Sequence, residues 1–201
     1  MTSSALTAFA LVFVGAIGAA AIDLDVTPED VDRALEIGRR REPSTSAFHT
    51  PYVQTLERTT DTITVRQLEV VTVYRRIVLH AEARRRLGDS VVSRADVEPL
   101  LRQWRHRVAV VTTVRFHPQN VLASLPPIEA AVRDPVLERN VEPLDVSRAP
   151  ITSPGTSRPL LGSTIETVFD AGLLASVNGV VVITLRGKEL ARTTIDFRTI
   201  D

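Results

Sequence analysis

Val180-Val181-Val182-Ile183-Thr184-Leu185-Arg186-Gly187-Lys188-Glu189-Leu190-Ala191-Arg192-Thr193-Thr194-Ile195-Asp196-Phe197 is the stretch that decides the fold class. Side chains of a strand alternate between two faces, so Val181, Ile183 and Leu185 share one face. Ile195 and Phe197 face them from the second arm, and Arg186-Gly187 sits where a tight hairpin turn belongs. Val180 and Val182 make the first arm apolar on both faces. That predicts an interior strand, covered by a second sheet on one side and by a helix on the other.

The same period of two runs through Val108, Val110, Thr112, Val114 and Phe116, and shorter versions occur at Ile128 to Val132 and Thr164 to Asp170. Residues 134 to 162 are rich in proline and alternate poorly, as long surface connections or edge strands do. Before residue 108 the period is helical. Thr27-Pro28-Glu29-Asp30 supplies an N-cap, a proline at the first helical position and acids in the first turn. Val31, Ala34, Leu35 and Gly38 then fall on one helix face, and Pro43 ends the run. Pro43 to Pro51 reads as a Ser/Thr/Pro-rich loop. Residues 52 to 65 are ambiguous, although Tyr52, Val53, Ile63 and Val65 favour extended structure. Leu68, Val71, Tyr74, Val78 and Ala81 place a second helix over Arg66 to Leu87, closed by Gly88 as a C-cap glycine, although the β-branched run Val70 to Val73 opposes it. A third helix takes Asp96 as N-cap and Pro99 in its first turn, with Val97, Leu100, Leu101 and Trp104 as its apolar face.

The expected architecture is α+β: a mainly helical part over residues 22–107 packed on a mainly antiparallel β-sheet or small β-sandwich over residues 108–201, the two forming either separate units or one continuous domain. An immunoglobulin-like sandwich lacks its Cys…Trp…Cys marker here.

Residues 5 to 22 carry no charge. Leu6 to Ile17 has the length of a signal h-region, and Ala19 and Ala21 form the A-x-A pattern that puts a cleavage before Ile22. Residues 1–21 are therefore read as a signal peptide and the remainder as extracytoplasmic, periplasmic or secreted. Retained, the 18 residues would span about 27 Å as a helix and anchor the protein, giving it a membrane contact through residues 6–22.

The chain has no cysteine, which excludes disulfides, thiolate metal sites, iron–sulfur clusters and a lipoprotein anchor. Its net charge is zero, and residues 23–107 hold 15 arginines against 14 acids, so nucleic acid is not an expected partner. No metal-binding pair of histidines, HExxH, P-loop, GxGxxG or G-x-S-x-G occurs, and no cofactor is expected. His49 and His117 each follow a phenylalanine and precede a proline closely. They are the weak catalytic candidates, each needing a carboxylate or hydroxyl brought to it by the fold. The simpler reading is that both rings brace turns.

Arginine clusters are the most distinctive polar feature. Arg84, Arg85, Arg86, Arg102 and Arg105 are the candidate contacts for a partner, because a planar guanidinium pairs well with anionic groups. Trp104 beside Arg105 is read as core, with stacking on a ligand as the alternative. The preferred function is a non-enzymatic protein-binding or structural module of the cell envelope or secreted fraction, with a protein partner. The alternatives are an extracytoplasmic hydrolase using His49 or His117 with a carboxylate, and an anchored structural protein.

Overall fold

The computed structural model describes residues 25–40, 43–60, 62–89, 91–119, 122, 124–154 and 159–200. The leader with its cleavage site lies outside them.

Thr27 caps the first helix, α1 (Pro28–Arg39), as its sequence predicts. Its hydroxyl accepts the Asp30 N–H and the Asp30 carboxylate accepts the Thr27 N–H, a reciprocal capping box. Pro43 does not open a loop. It caps a short helix, α2 (Ser44–His49), which runs into a 3-10 turn, Thr50–Tyr52. Pro51 is tolerated there because the first turn needs no N–H from it, and Phe48 packs on Tyr52 and Tyr74.

Strands β1 (Val53–Thr59) and β2 (Ile63–Val71) follow, and helix α3 (Val73–Arg86) starts only after them. The first six residues of the helix expected from Arg66 are thus strand. The β-branched run decided the matter, and Thr72 marks the boundary by accepting the Arg75 N–H at 3.2 Å as N-cap. The end of α3 is as expected: Gly88 has φ +85, Gly88 N–H bonds Arg85 O and Asp89 N–H bonds Arg84 O, the paired closure of a Schellman motif. The N-cap of helix α4 (Arg94–Trp104) lies three residues before the expected one. Ser93 is the N-cap, and Asp96 is its capping-box partner, which leaves Pro99 inside the helix.

The remaining elements are β3 (Arg107–Phe116), β4 (Ile128–Asp134), β5 (Arg139–Val141), β6 (Asp145–Thr152), β7 (Leu160–Asp170), α5 (Ala171–Leu174), β8 (Asn178–Leu185), β9 (Lys188–Asp196) and a final 3-10 turn, Phe197–Thr199. Arg186 and Gly187 both take positive φ, 50° and 77°, as the two-residue β8–β9 turn requires.

The strands form two antiparallel sheets, β1-β2-β3-β7-β6 and β5-β4-β8-β9. They face each other as a sandwich. Val65, Val110, Ile165 and Phe169 of the larger sheet pack on Val132, Val181, Ile183 and Phe197 from the smaller side, each contributing about 1.5–3 kcal/mol by leaving water. The 22–107 part, though mainly helical, supplies two strands of the larger sheet, so its residues share this core.

The other face of the larger sheet carries the helices. Val71, Ala109 and Val168 meet Leu79 of α3 and Trp104 of α4, and α1 closes the layer against α3. Gly38 allows that contact: a Cβ there would lie 2.5 Å from Val78 O and 2.6 Å from Ala81 Cβ. β8 is central in its sheet, as the valine run indicates, but the helical layer covers the larger sheet and not β8. Val180 and Val182 are consequently only half-buried.

Candidate functional site

The most concentrated polar chemistry lies between α2, the end of β2 and α3. His49 ends α2. Arg75 is the third residue of α3 and is 2% exposed. Its Nη1 donates to Val70 O at 2.6 Å, its Nη2 to Glu69 Oε2 at 2.7 Å, and its Nε to His49 Nδ1 at 3.3 Å. On the far side of the imidazole, His49 Nε2 lies 2.8 Å from Glu82 Oε1. Gln67 Nε2 donates to Glu69 Oε1 at 2.8 Å, and Arg86 approaches Glu82 Oε2 at 3.6 Å. The Tyr52 ring lies 5.1 Å from the Arg75 guanidinium carbon.

These partners fix the tautomer. Arg75 can only donate, so His49 Nδ1 accepts and Nε2 carries the hydrogen that Glu82 receives. Neither ring nitrogen is left for a substrate. A general base needs a nitrogen within reach of the proton it removes; His49 instead joins α2 to α3. Among the described residues, no three His, Asp or Glu side chains are placed to hold a metal ion.

His117 sits beyond the other end of β3. Its N–H bonds Thr62 O at 3.0 Å, and its Nδ1 accepts the Gln119 N–H at 3.3 Å, the turn-bracing role. Val110, opposite Val70, and Phe116, opposite Ile63, are six residues apart on β3, about 20 Å of strand. His49 and His117 therefore cannot share one site. His106 takes φ 55° at the α4–β3 junction.

The five candidate arginines fall in two groups. Arg84, Arg85 and Arg86 lie at the C-terminal end of α3, where Arg84 pairs with Asp89 and Arg85 Nε donates to Gly38 O at 3.3 Å. Arg102 pairs with Glu98 at 3.2 Å and Arg105 with Asp25 at 3.8 Å. Those two line a surface cleft of about 240 Å³ with Val26, Leu101 and Val73, the first residue of α3. The groups are separated by the length of α3, about 20 Å, and do not form one patch. A second cleft of about 240 Å³ lies between β1–β2 and β9, floored by Leu68 and Val70.

Trp104 is half-buried against Val71, Ala109 and Val168, and its ring is covered by Arg76, whose guanidinium carbon lies 3.2 Å from the ring centroid. Arg76 also pairs with Glu166 of β7. Burial pulls this guanidinium below its usual range, and Glu166 pushes back. Glu69 and Glu82 are absent from the sequence-based candidates, and Arg75 figures there only as a member of an arginine cluster. A usable signal existed on α3: Arg75 and Glu82 share the buried face of Val78, at i, i+3 and i+7.

The sheet edges are guarded. β1 is bulged between Thr55 and Arg58, with Glu57 at φ 44°. β6 is exposed along its whole length but carries Pro150, β5 has three residues, and β9 bears exposed Lys188, Glu189 and Arg192. These are the devices that oppose strand addition, so a partner would meet side chains and not an open ladder. No protein family, curated protein or solved structure matches the chain.

Proposed function

We propose that the protein is an exported, non-enzymatic module of the cell envelope or secreted fraction that binds a partner protein. The observation that carries this reading is the saturated imidazole of His49. The histidine that lies within hydrogen-bond reach of a carboxylate has both nitrogens occupied inside a buried strut. The partner surface fits the helical layer, where Arg84 and Arg86 stand exposed at the end of α3.

The test is an in-cell crosslink and pull-down of the tagged full chain, comparing wild type with Arg84→Ser/Arg86→Ser. Arg85 is left intact because it braces α1 through Gly38 O. Arg84–Asp89 is an exposed pair, worth about 0–1 kcal/mol at most, and the Arg86 side chain is itself exposed, 3.6 Å from the buried Glu82 carboxylate that His49 also holds, so the melting temperature should move little while partner recovery falls. Unchanged recovery removes this patch. The hydrolase reading keeps one favourable observation, the 2.8 Å contact of His49 with Glu82. It requires a hydrolytic activity that Glu82→Gln abolishes without unfolding the chain.

A further inference from the structure

We infer that the end of the sandwich at which β3 begins is a bilayer-facing surface. Short connections gather four of the nine exposed large apolar residues described in the structure at this end. β7 ends at Asp170, opposite Arg107, the first residue of β3. α5 follows at once with Leu173, 49% exposed, and Ala171 N–H bonds His106 O at 2.9 Å. Leu144, 55% exposed, precedes β6 and donates its N–H to Val168 O at 2.7 Å. β8 begins just after α5, and β4 ends against it, with Arg133 opposite Val180. The turn after β4 carries Val136 and Leu137, 86% and 58% exposed. It is a held turn: Asp134 Oδ1 accepts both of their N–H groups, at 2.8 and 3.1 Å. Scattered exposed apolar residues are ordinary, but four from three connections at one end form a common face.

The path of the chain names the occupant. Asp25, the first described residue, pairs with Arg105, and Val26 lines the cleft with Val73, Leu101 and Arg102. All belong to the α4–β3 and β2–α3 junctions of this same end. The charge-free segment Ala5–Ile22 therefore joins the domain here, with Ile22 at most about 10 Å of extended chain from Asp25. While that segment is attached, a membrane holding it meets this end first. Arg102, Arg105, Arg107 and Arg139 are exposed among the apolar residues, and so are Glu138, Glu142 and Asp145. The charges are of both signs, so contact depends on shallow burial of leucine and valine, with arginine heads at the phosphates.

The absence of cysteine makes the test direct. Single cysteines replace Leu137 or Leu173 at this end, and Leu87 or Val91 beyond the far end of α3, in the full chain. Each is labelled with an environment-sensitive dye and mixed with phosphatidylcholine vesicles, with and without phosphatidylglycerol, containing a spin-labelled lipid. The dyes at 137 and 173 should shift to the blue and be quenched by the lipid, those at 87 and 91 should not, and Val136→Ser/Leu144→Ser should restore the 137 signal. Absence of lipid quenching at 137 and 173 overturns the inference. A blue shift there without lipid quenching also overturns it and assigns the surface to a protein contact. Neither result bears on the partner reading, whose variants lie at the opposite end of α3.

Discussion

Replacing Arg75 with methionine tests whether the buried network is the strut described above. Methionine keeps much of the side-chain length but removes three donated hydrogen bonds, leaving Val70 O, His49 Nδ1 and Glu69 Oε2 without their partner. Breaking a buried ion pair from one side costs about 3–5 kcal/mol. For a domain of this size, each kcal/mol moves the melting temperature by about 2–4 °C, so the fall should be about 6–20 °C. Glu69 is partly solvated, and Glu69→Gln alone should cost about 1 kcal/mol. The double variant should then lose less than the sum, with a coupling of about 1–3 kcal/mol. Urea unfolding provides the assay, and Trp104, the one tryptophan, is a built-in reporter beneath Arg76. An Arg75→Met cost below about 1 kcal/mol, or additive costs in the cycle, would refute the claim that these groups act as one buried unit.

Two further outcomes follow from local geometry. Gly38→Ala places a Cβ 2.5 Å from Val78 O, so α1 must back away from α3; the urea midpoint should fall by the equivalent of about 1–3 kcal/mol. Acid should weaken the helix caps. Hydrogen bonds from Thr27 hold Asp30 below the usual carboxylate range, and those from Ser93 do the same for Asp96. A folded-state value below the unfolded one gives stability that is present above the unfolded value, near pH 4, and is lost as pH falls towards the folded one. Asp30→Asn/Asp96→Asn should therefore lower the urea midpoint at neutral pH and flatten its fall below about pH 4.

The β8–β9 hairpin and α1 were legible because period and punctuation agree in each. Alternation ends at Arg186-Gly187, and Thr27-Pro28 opens a helix with acids behind it. The β2–α3 boundary was not legible from period alone. Leu68, Val71, Tyr74 and Val78 fit one continuous helical stripe, yet Leu68 faces the sandwich core and Val78 the helical core. Only Thr72 separates them. The α4 cap was misplaced for a related reason: Asp96 is a sound cap by type, but Ser93 three residues earlier makes the reciprocal pair. The His49 network was hidden because its members are far apart in sequence, 26 residues from His49 to Arg75 and 33 from His49 to Glu82. No spacing rule reaches across a strand and a helix cap.

The order of strands in the larger sheet governs how late the protein can finish folding. β3 is flanked by β2 and β7, and Val111 lies opposite Glu166, 55 residues further along the chain. As the chain is made from its N-terminus, β1, β2 and β3 can pair early. The valine-rich outer side of β3 then stays unmated until residue 170 has emerged. Distant pairing of this kind slows folding and leaves a sticky edge exposed in the meantime. A nascent chain in that condition stays incompletely folded for longer than a helical bundle of the same size.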